Sequence, residues 1–166
     1  MSKTALIVVD VQNEYFPHGN YPQHGVEEAL QSVKQAIAHA HAHDWSVVLV
    51  QHFMPEGAPL FQAGTDNVAI HAEVLAAAPD APVVQKYHAD SFFETNLEEV
   101  LKEQGAESIV ICGIMTQNCV AYTAISPDAA SYDVKVLPAA CCAPDPVVHG
   151  AALEAIRDRG VAFTEL

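Results

Sequence analysis

The chain has 166 residues, 51% of them apolar and only 17% charged. That suffices for one domain with a buried core and is too apolar for a disordered chain. Seven Lys and Arg stand against 21 Asp and Glu, a formal net charge of −14, which argues against a phosphate-tracking nucleic-acid binder and against an anionic membrane surface as partner.

No apolar stretch approaches the roughly 20 residues that span a bilayer. The start, Met1-Ser2-Lys3-Thr4, has no signal-peptide layout. The expectation is one soluble, cytoplasmic domain over residues 1–166.

Ala5 to Asp10 is a continuous apolar run ending in a carboxylate, the pattern of a strand buried on both faces of a parallel sheet. A loop rich in Tyr, Phe, Pro and Gly follows. Val26, Leu30, Val33 and Ile37 then recur at helical spacing. Trp45 to Gln51 predicts a second buried strand, followed by a long loop and a short helix after Asn67. Pro82 to Lys86 predicts a third, shorter strand. Thr95-Asn96-Leu97-Glu98 reads as a capping box opening a helix through Gln104, with Gly105 as terminator.

Ser108 to Gly113 predicts a fourth strand, and the segment from Thr116 to Ala130 a helix that Pro127 kinks or ends early. Asp133 to Leu137 predicts a fifth strand. Asp145-Pro146 opens a helix, Asp as N-cap and Pro at its first position, closed by Gly160. Val161 to Glu165 predicts a sixth strand. Strands alternating with helices imply right-handed crossovers and a three-layer α/β/α domain with a parallel sheet of six strands. Ligands then bind beyond the carboxyl ends of the strands, near the switch point in strand order.

Asp10 ends the first strand, Lys86 the third, and Cys119 stands just past the fourth. Parallel strands put all three on one rim. At a helix start, the dipole and free backbone N–H groups favour a thiolate, and a nearby lysine favours it further. A carboxylate can take the thiol proton and later pass it to a leaving amine. Singly, Asp10 reads as a loop cap, Lys86 as a solvated charge and Cys119 as a small buried apolar residue; jointly on one rim they point to an activated-cysteine hydrolase.

Cys112 reads as strand core, and Cys141 and Cys142 as packing after the fifth strand. No disulfide framework is indicated. His39, His41 and His43 read as a solvated helix end. No GxGxxG or Walker motif supports nucleotide binding.

The chain is similar to the isochorismatase-like cysteine hydrolase superfamily, which includes nicotinamidases and carbamoylsarcosine-type amidases. The matching residues are Leu6 to Asn13 (LIVVDVQN), Phe61 to Thr65 (FQAGT), Ile70-His71, Val83 to Lys86 (VVQK), Gly113 to Val120 (GIMTQNCV), and Tyr132-Asp133-Val134 with Ala140-Cys141. The resemblance covers nearly the whole chain in order. It implies a triad of Asp10 as general base and acid, Lys86 as its positioner, and Cys119 as nucleophile forming a thioester. It implies a cis peptide at Ile114–Met115, aiming the Met115 and Cys119 N–H groups at the developing oxyanion. It also implies a homo-oligomer, dimer or tetramer, whose neighbouring subunit lines the pocket.

Nicotinamidases carry a metal-binding Asp-x-His after the second strand. Here His52 and Met54 stand in those places, a poor zinc or iron set, so neither a metal nor an organic cofactor is expected. True isochorismatases, which cleave a vinyl ether, generally lack the cysteine, so Cys119 argues for amide chemistry. Ile125 stands where many relatives have Arg. Among the loop aromatics, Phe16, Tyr21, Phe53 and Phe92 are candidates for the substrate pocket. The reading is hydrolysis of a small carboxamide or related C–N bond. The alternative is a small-molecule-binding or thiol redox-sensing protein on the same fold.

Overall fold

A computed structural model describes residues 3–166. Six strands, β1 (Thr4–Val9), β2 (Ser46–His52), β3 (Val83–Lys86), β4 (Ser108–Ile114), β5 (Asp133–Cys142) and β6 (Ala162–Phe163), form one parallel sheet in the order β3-β2-β1-β4-β5-β6. The order reverses direction between β1 and β4, which is the switch point where such sheets open a crevice. Helices α1 (Val26–Ala42), α2 (Ala72–Ala77), α3 (Leu97–Gln104), α4 (Ala121–Ala124) and α5 (Pro146–Asp158) complete an α/β/α sandwich.

The continuous apolar runs become the buried central strands. Ala5 to Val9 of β1 and Ile109 to Ile111 of β4 are at most 3% exposed. In α1, Val26, Leu30, Val33 and Ile37 all turn inward at the helical period. Where β1 and β4 meet, Gly113 has φ of +122°, and a Cβ there would fall 2.0 Å from the Val9 carbonyl oxygen. Only glycine permits this approach.

Helix α5 opens as its sequence predicts: Asp145 Oδ1 accepts the Val148 N–H at 2.9 Å, with Pro146 at the first position. Helix α3 ends at Gly105 with φ of 69°, but its start differs from a capping box. The N-cap is Asn96, which makes no side-chain cap, and this shift of one residue puts Glu98 too early to close a box. The Thr95 hydroxyl instead accepts the Leu97 N–H at 3.2 Å and donates to the Ser91 carbonyl at 2.6 Å.

The segment from Thr116 to Ala130 is not one helix. It comprises a π-helical turn over Thr116–Val120, the single turn of α4, and a 3₁₀ turn over Pro127–Ser131. Pro127 cannot donate a backbone hydrogen bond, and Ser126 Oγ caps the new turn by accepting the Asp128 N–H. Strand β5 runs to Cys142, past the expected end at Leu137, so Cys141 and Cys142 lie within it opposite Gly113 and Ile114. Its register shifts after the Ile111–Val136 pair, and this irregularity accommodates Pro138, which has no N–H for a ladder. Strand β6 has two residues and not the expected five. A 3₁₀ turn over Asp66–Val68 precedes α2.

Candidate active site

Four side chains line the carboxyl rim in the order of their strands. Lys86 closes β3, and His52, its register partner, closes β2. Asp10 follows β1, and Cys119 follows β4 within the π-helical turn. Asp10 and Cys119 therefore flank the switch point, and Lys86 reaches them by passing over the end of β2.

Asp10 leaves β1 with φ of +51°. A non-glycine residue in the left-handed region costs on the order of 1 kcal/mol or more, and such conformations concentrate at functional sites. The turn is pinned because the Asp10 N–H donates to the Val50 carbonyl at 3.0 Å and the Asp10 carbonyl accepts from Gln12 at 2.8 Å. Gln12 is itself fully buried. Its amide donates to the His52 and Val68 carbonyls at 2.9 and 2.7 Å, and its Oε1 accepts the His52 N–H at 2.8 Å. Buried Glu14 accepts the N–H groups of Asn20 and Phe61 at 2.8 and 2.9 Å. These two polar residues tie the loops after β1 and β2 together.

Lys86 and Asp10 are both 0% exposed. The Lys86 ammonium has four neighbours: Asp10 Oδ2 at 2.8 Å, the His88 carbonyl at 2.9 Å, His52 Nδ1 at 3.0 Å and Cys119 Sγ at 3.2 Å. The Asp10 contact is an ion pair rather than an aligned hydrogen bond, and both carboxylate oxygens lack a hydrogen-bond partner among the described residues. Burial by itself would lower the lysine pKa, but the charges of Asp10 and Cys119 outweigh it and the ammonium is held above its ordinary value.

Cys119 is 2% exposed. Burial, then the Asp10 charge, push its thiol well above the ordinary cysteine range, against the opposing pull of Lys86. Burial therefore works against the thiolate that the helix-start placement favours. Desolvation dominates, and α4 is only four residues long, too short to supply a sizeable dipole. The thiol faces a carboxylate able to take its proton. Cys141 and Cys142 are pushed up to about 12 by burial, and Cys112 also lies well above its usual range for the same reason.

The Ile114–Met115 peptide is cis. The Met115 carbonyl closes the next turn, accepting the Asn118 and Val120 N–H groups at 3.1 and 3.2 Å. Buried Thr116 anchors that turn to β5 and α5: its hydroxyl donates to the Cys142 carbonyl at 3.0 Å and lies 2.8 Å from His149 Nδ1.

The four candidate pocket aromatics separate. Tyr21 tilts against Tyr15 with ring centroids 6.3 Å apart, and Tyr15 lies close enough to Cys119 and Asp10 that their charges, after burial, raise its phenol. Phe53 follows His52 directly and packs on Tyr87 at 6.1 Å. Phe16 instead packs on His71 at 4.4 Å, lining a separate recess with Asn13, His18 and Asp66. Phe92 is buried against Tyr132 at 6.2 Å. Sequence reasoning weighs His52 only as a metal ligand and does not single out Tyr15. The signal for His52 was its position at a strand end, level with Lys86.

His52 does not suit a metal. Its Nδ1 faces the Lys86 ammonium, and Met54 lies out at the surface. Among the described residues no three His, Cys, Asp or Glu side chains converge to hold an ion.

Residues 4–166 match the isochorismatase domain. The chain is 35% identical over 140 residues to an uncharacterized isochorismatase family protein, YddQ, of Bacillus subtilis, covering 83% of this chain and 77% of that protein. It is 27% identical over 175 residues to a nicotinamidase of Acinetobacter baylyi, covering 85% and 82% of the two chains. The crystal structure of an isochorismatase family protein from Desulfovibrio vulgaris superposes with a TM-score of 0.89 at 26% identity, covering 98% of this chain and 94% of that one. With a domain match over nearly its full length, a relative of the same name and the same sheet, this chain belongs to the isochorismatase family.

Proposed function

We propose that the protein hydrolyses a small carboxamide or related non-peptide C–N bond, with Cys119 as nucleophile. The observation that carries this reading is the convergence of Asp10, Lys86 and Cys119 around one buried ammonium. The nicotinamidase relative supports amide chemistry.

Cys119 passes its proton to Asp10 as the sulfur attacks the substrate carbonyl. The carbonyl oxygen becomes an oxyanion, for which the Met115 and Cys119 backbone N–H groups are the donors. Collapse expels the amine, which takes the proton from Asp10 and leaves as ammonia or a small amine. Water then gives a proton to Asp10 and its oxygen to the thioester carbonyl. The second collapse releases the carboxylic acid, and the sulfur regains the Asp10 proton. Lys86 stays charged throughout and offsets the negative charge that moves between carboxylate and sulfur. No step is routed through a metal, because the ammonium occupies the place beside His52 Nδ1 that a cation would need.

The same reading has the protein act in the cytoplasm as a homo-oligomer. Exposed Tyr87, Tyr122 and Ile125 are the apolar groups a second copy would cover. Among the described residues no helix is long and apolar enough to cross a membrane.

The test is a panel of small amides, assayed for ammonia release and for an acyl adduct on Cys119 by mass spectrometry. Turnover with a trapped adduct on Cys119 is expected. Binding without turnover across the panel, or reversible oxidation of Cys119 as its only chemistry, would favour the binding or redox-sensing alternative.

A further inference from the structure

All three Lys86 protons are engaged, and none is aligned on Asp10. An ammonium carries three N–H donors and no acceptor; the His88 carbonyl, His52 Nδ1 and Cys119 Sγ take them at 2.9, 3.0 and 3.2 Å, while Asp10 Oδ2, at 2.8 Å, is held by charge alone. We infer that His52 is a positioning residue for the cysteine: its Nδ1 holds one Lys86 proton away from the Asp10–Cys119 pair and so sets how readily the sulfur gives up its own. This inference rests on the cysteine reading above and assigns His52 a role within it.

The hydrogen-bond logic fixes the imidazole. Lysine can only donate, so Nδ1 must accept, and the ring proton must sit on Nε2. His52 is then neutral. Burial first, and the Lys86 charge second, lower its pKa to about 4. The Phe61 ring, nearly perpendicular with its centroid 5.2 Å from that of the imidazole, and the Gln12 bonds to both His52 backbone groups hold the ring in place. The titratable groups facing this cluster are Asp10, Lys86 and Cys119 themselves, His88 beside His52, and Tyr15 beside Cys119 and Asp10.

Of the three acceptors, His52 Nδ1 is the dispensable one. The His88 carbonyl is fixed two residues along the same chain, and Cys119 Sγ is the reacting atom. As the sulfur becomes anionic, the proton on His52 is the one that can be redirected to the Asp10–Cys119 pair. Removing the His52 acceptor leaves that proton permanently available.

His52→Leu and His52→Asn are nearly isosteric, but only Asn keeps an acceptor near the place of Nδ1. The readout is the pH dependence of Cys119 alkylation by iodoacetamide, mapped by mass spectrometry. This needs no substrate, so it is separable from whether the protein turns over an amide. The His52→Leu midpoint is expected below that of His52→Asn, raising alkylation at pH 7 about 3- to 10-fold, since one pKa unit is tenfold in thiolate. The Asn variant is expected to follow the wild type. Equal shifts in both variants, no shift in either, or an upward shift in Leu alone would overturn the inference. Nitrogen NMR of the wild-type imidazole keeps it falsifiable should the Leu variant fail to fold. An Nε2–H tautomer at pH 7 is expected, and an Nδ1–H tautomer or an imidazolium would refute it. Loss of the alkylation difference would reject the role of His52 while leaving amide hydrolysis intact; an inert amide panel with the difference present would do the reverse.

Discussion

Lys86 Nζ lies 2.8 Å from Asp10 Oδ2 although their strands are not neighbours. Strand β2 runs between them, so the Lys86 side chain, the 2.8 Å contact and the Asp10 side chain together bridge two strand spacings, about 10 Å. Few side chains have that reach, and lysine also brings a compact charge. A buried pair of this kind is strongly asymmetric in energy, because losing one partner strands the other charge, typically costing about 3–5 kcal/mol.

Lys86→Met is therefore expected to lose that much stability and to abolish turnover. The double variant Asp10→Asn, Lys86→Met removes both charges and is expected to recover most of the stability and none of the activity. Urea unfolding of the single and double variants checks the first statement, and ammonia release the second. A double variant no more stable than Lys86→Met would show that the pair is not coupled as the geometry requires.

Cys119→Ala is expected to fold normally, to form no acyl adduct and to lose several orders of magnitude in rate. Cys112→Ala and Cys141→Ala are expected to keep turnover, with at most a modest cost for the small cavity. Intact-mass and kinetic measurements on the three variants decide the assignment. Loss of turnover in either of the last two, with Cys119→Ala active, would move the nucleophile.

The half-buried, neutral His52 predicts a pH dependence of stability. Its pKa is about 4 in the folded chain, against an ordinary value of 6.5. Between these values the unfolded chain binds a proton that the folded chain does not, so stability rises with pH across the window. The contribution is fully present above pH 6.5 and is lost as pH falls through 4. His149, also lowered by burial, acts in the same direction. Chemical unfolding from pH 4 to pH 7 is expected to show a shallower slope in His52→Asn than in the wild type. An unchanged slope would place His52 in an environment other than the one described.

Exhaustive chelation is expected to leave ammonia release unchanged, because the Lys86 ammonium stands 3.0 Å from His52 Nδ1 and would repel a cation there. Activity lost on chelation and restored by added zinc, iron or manganese would show a metal step.

The order and type of the main elements were legible in the sequence because each rests on local chemistry. Apolar runs such as Ala5 to Val9 leave no polar face and must be buried on both sides, and Asp145-Pro146 and Gly105 punctuate helices through their own dihedrals. The places of Asp10, Lys86 and Cys119 at one rim follow from the same pattern, with the family resemblance adding their roles as a triad. What the sequence could not settle was decided by contacts between distant segments. The extension of β5 to Cys142 depends on a register shift against β4. The state of the Cys119 thiol depends on how completely the fold excludes water from it, so desolvation overrides the helix-start effect that spacing suggests. His52 became part of the site only because β2 lies between β3 and β1, placing its imidazole beneath the one side chain that must cross. Periodicity reports which residues are buried, whereas which groups take the three ammonium protons and which is held by charge alone is set by distances of a few ångströms, and only the packed chain determines those.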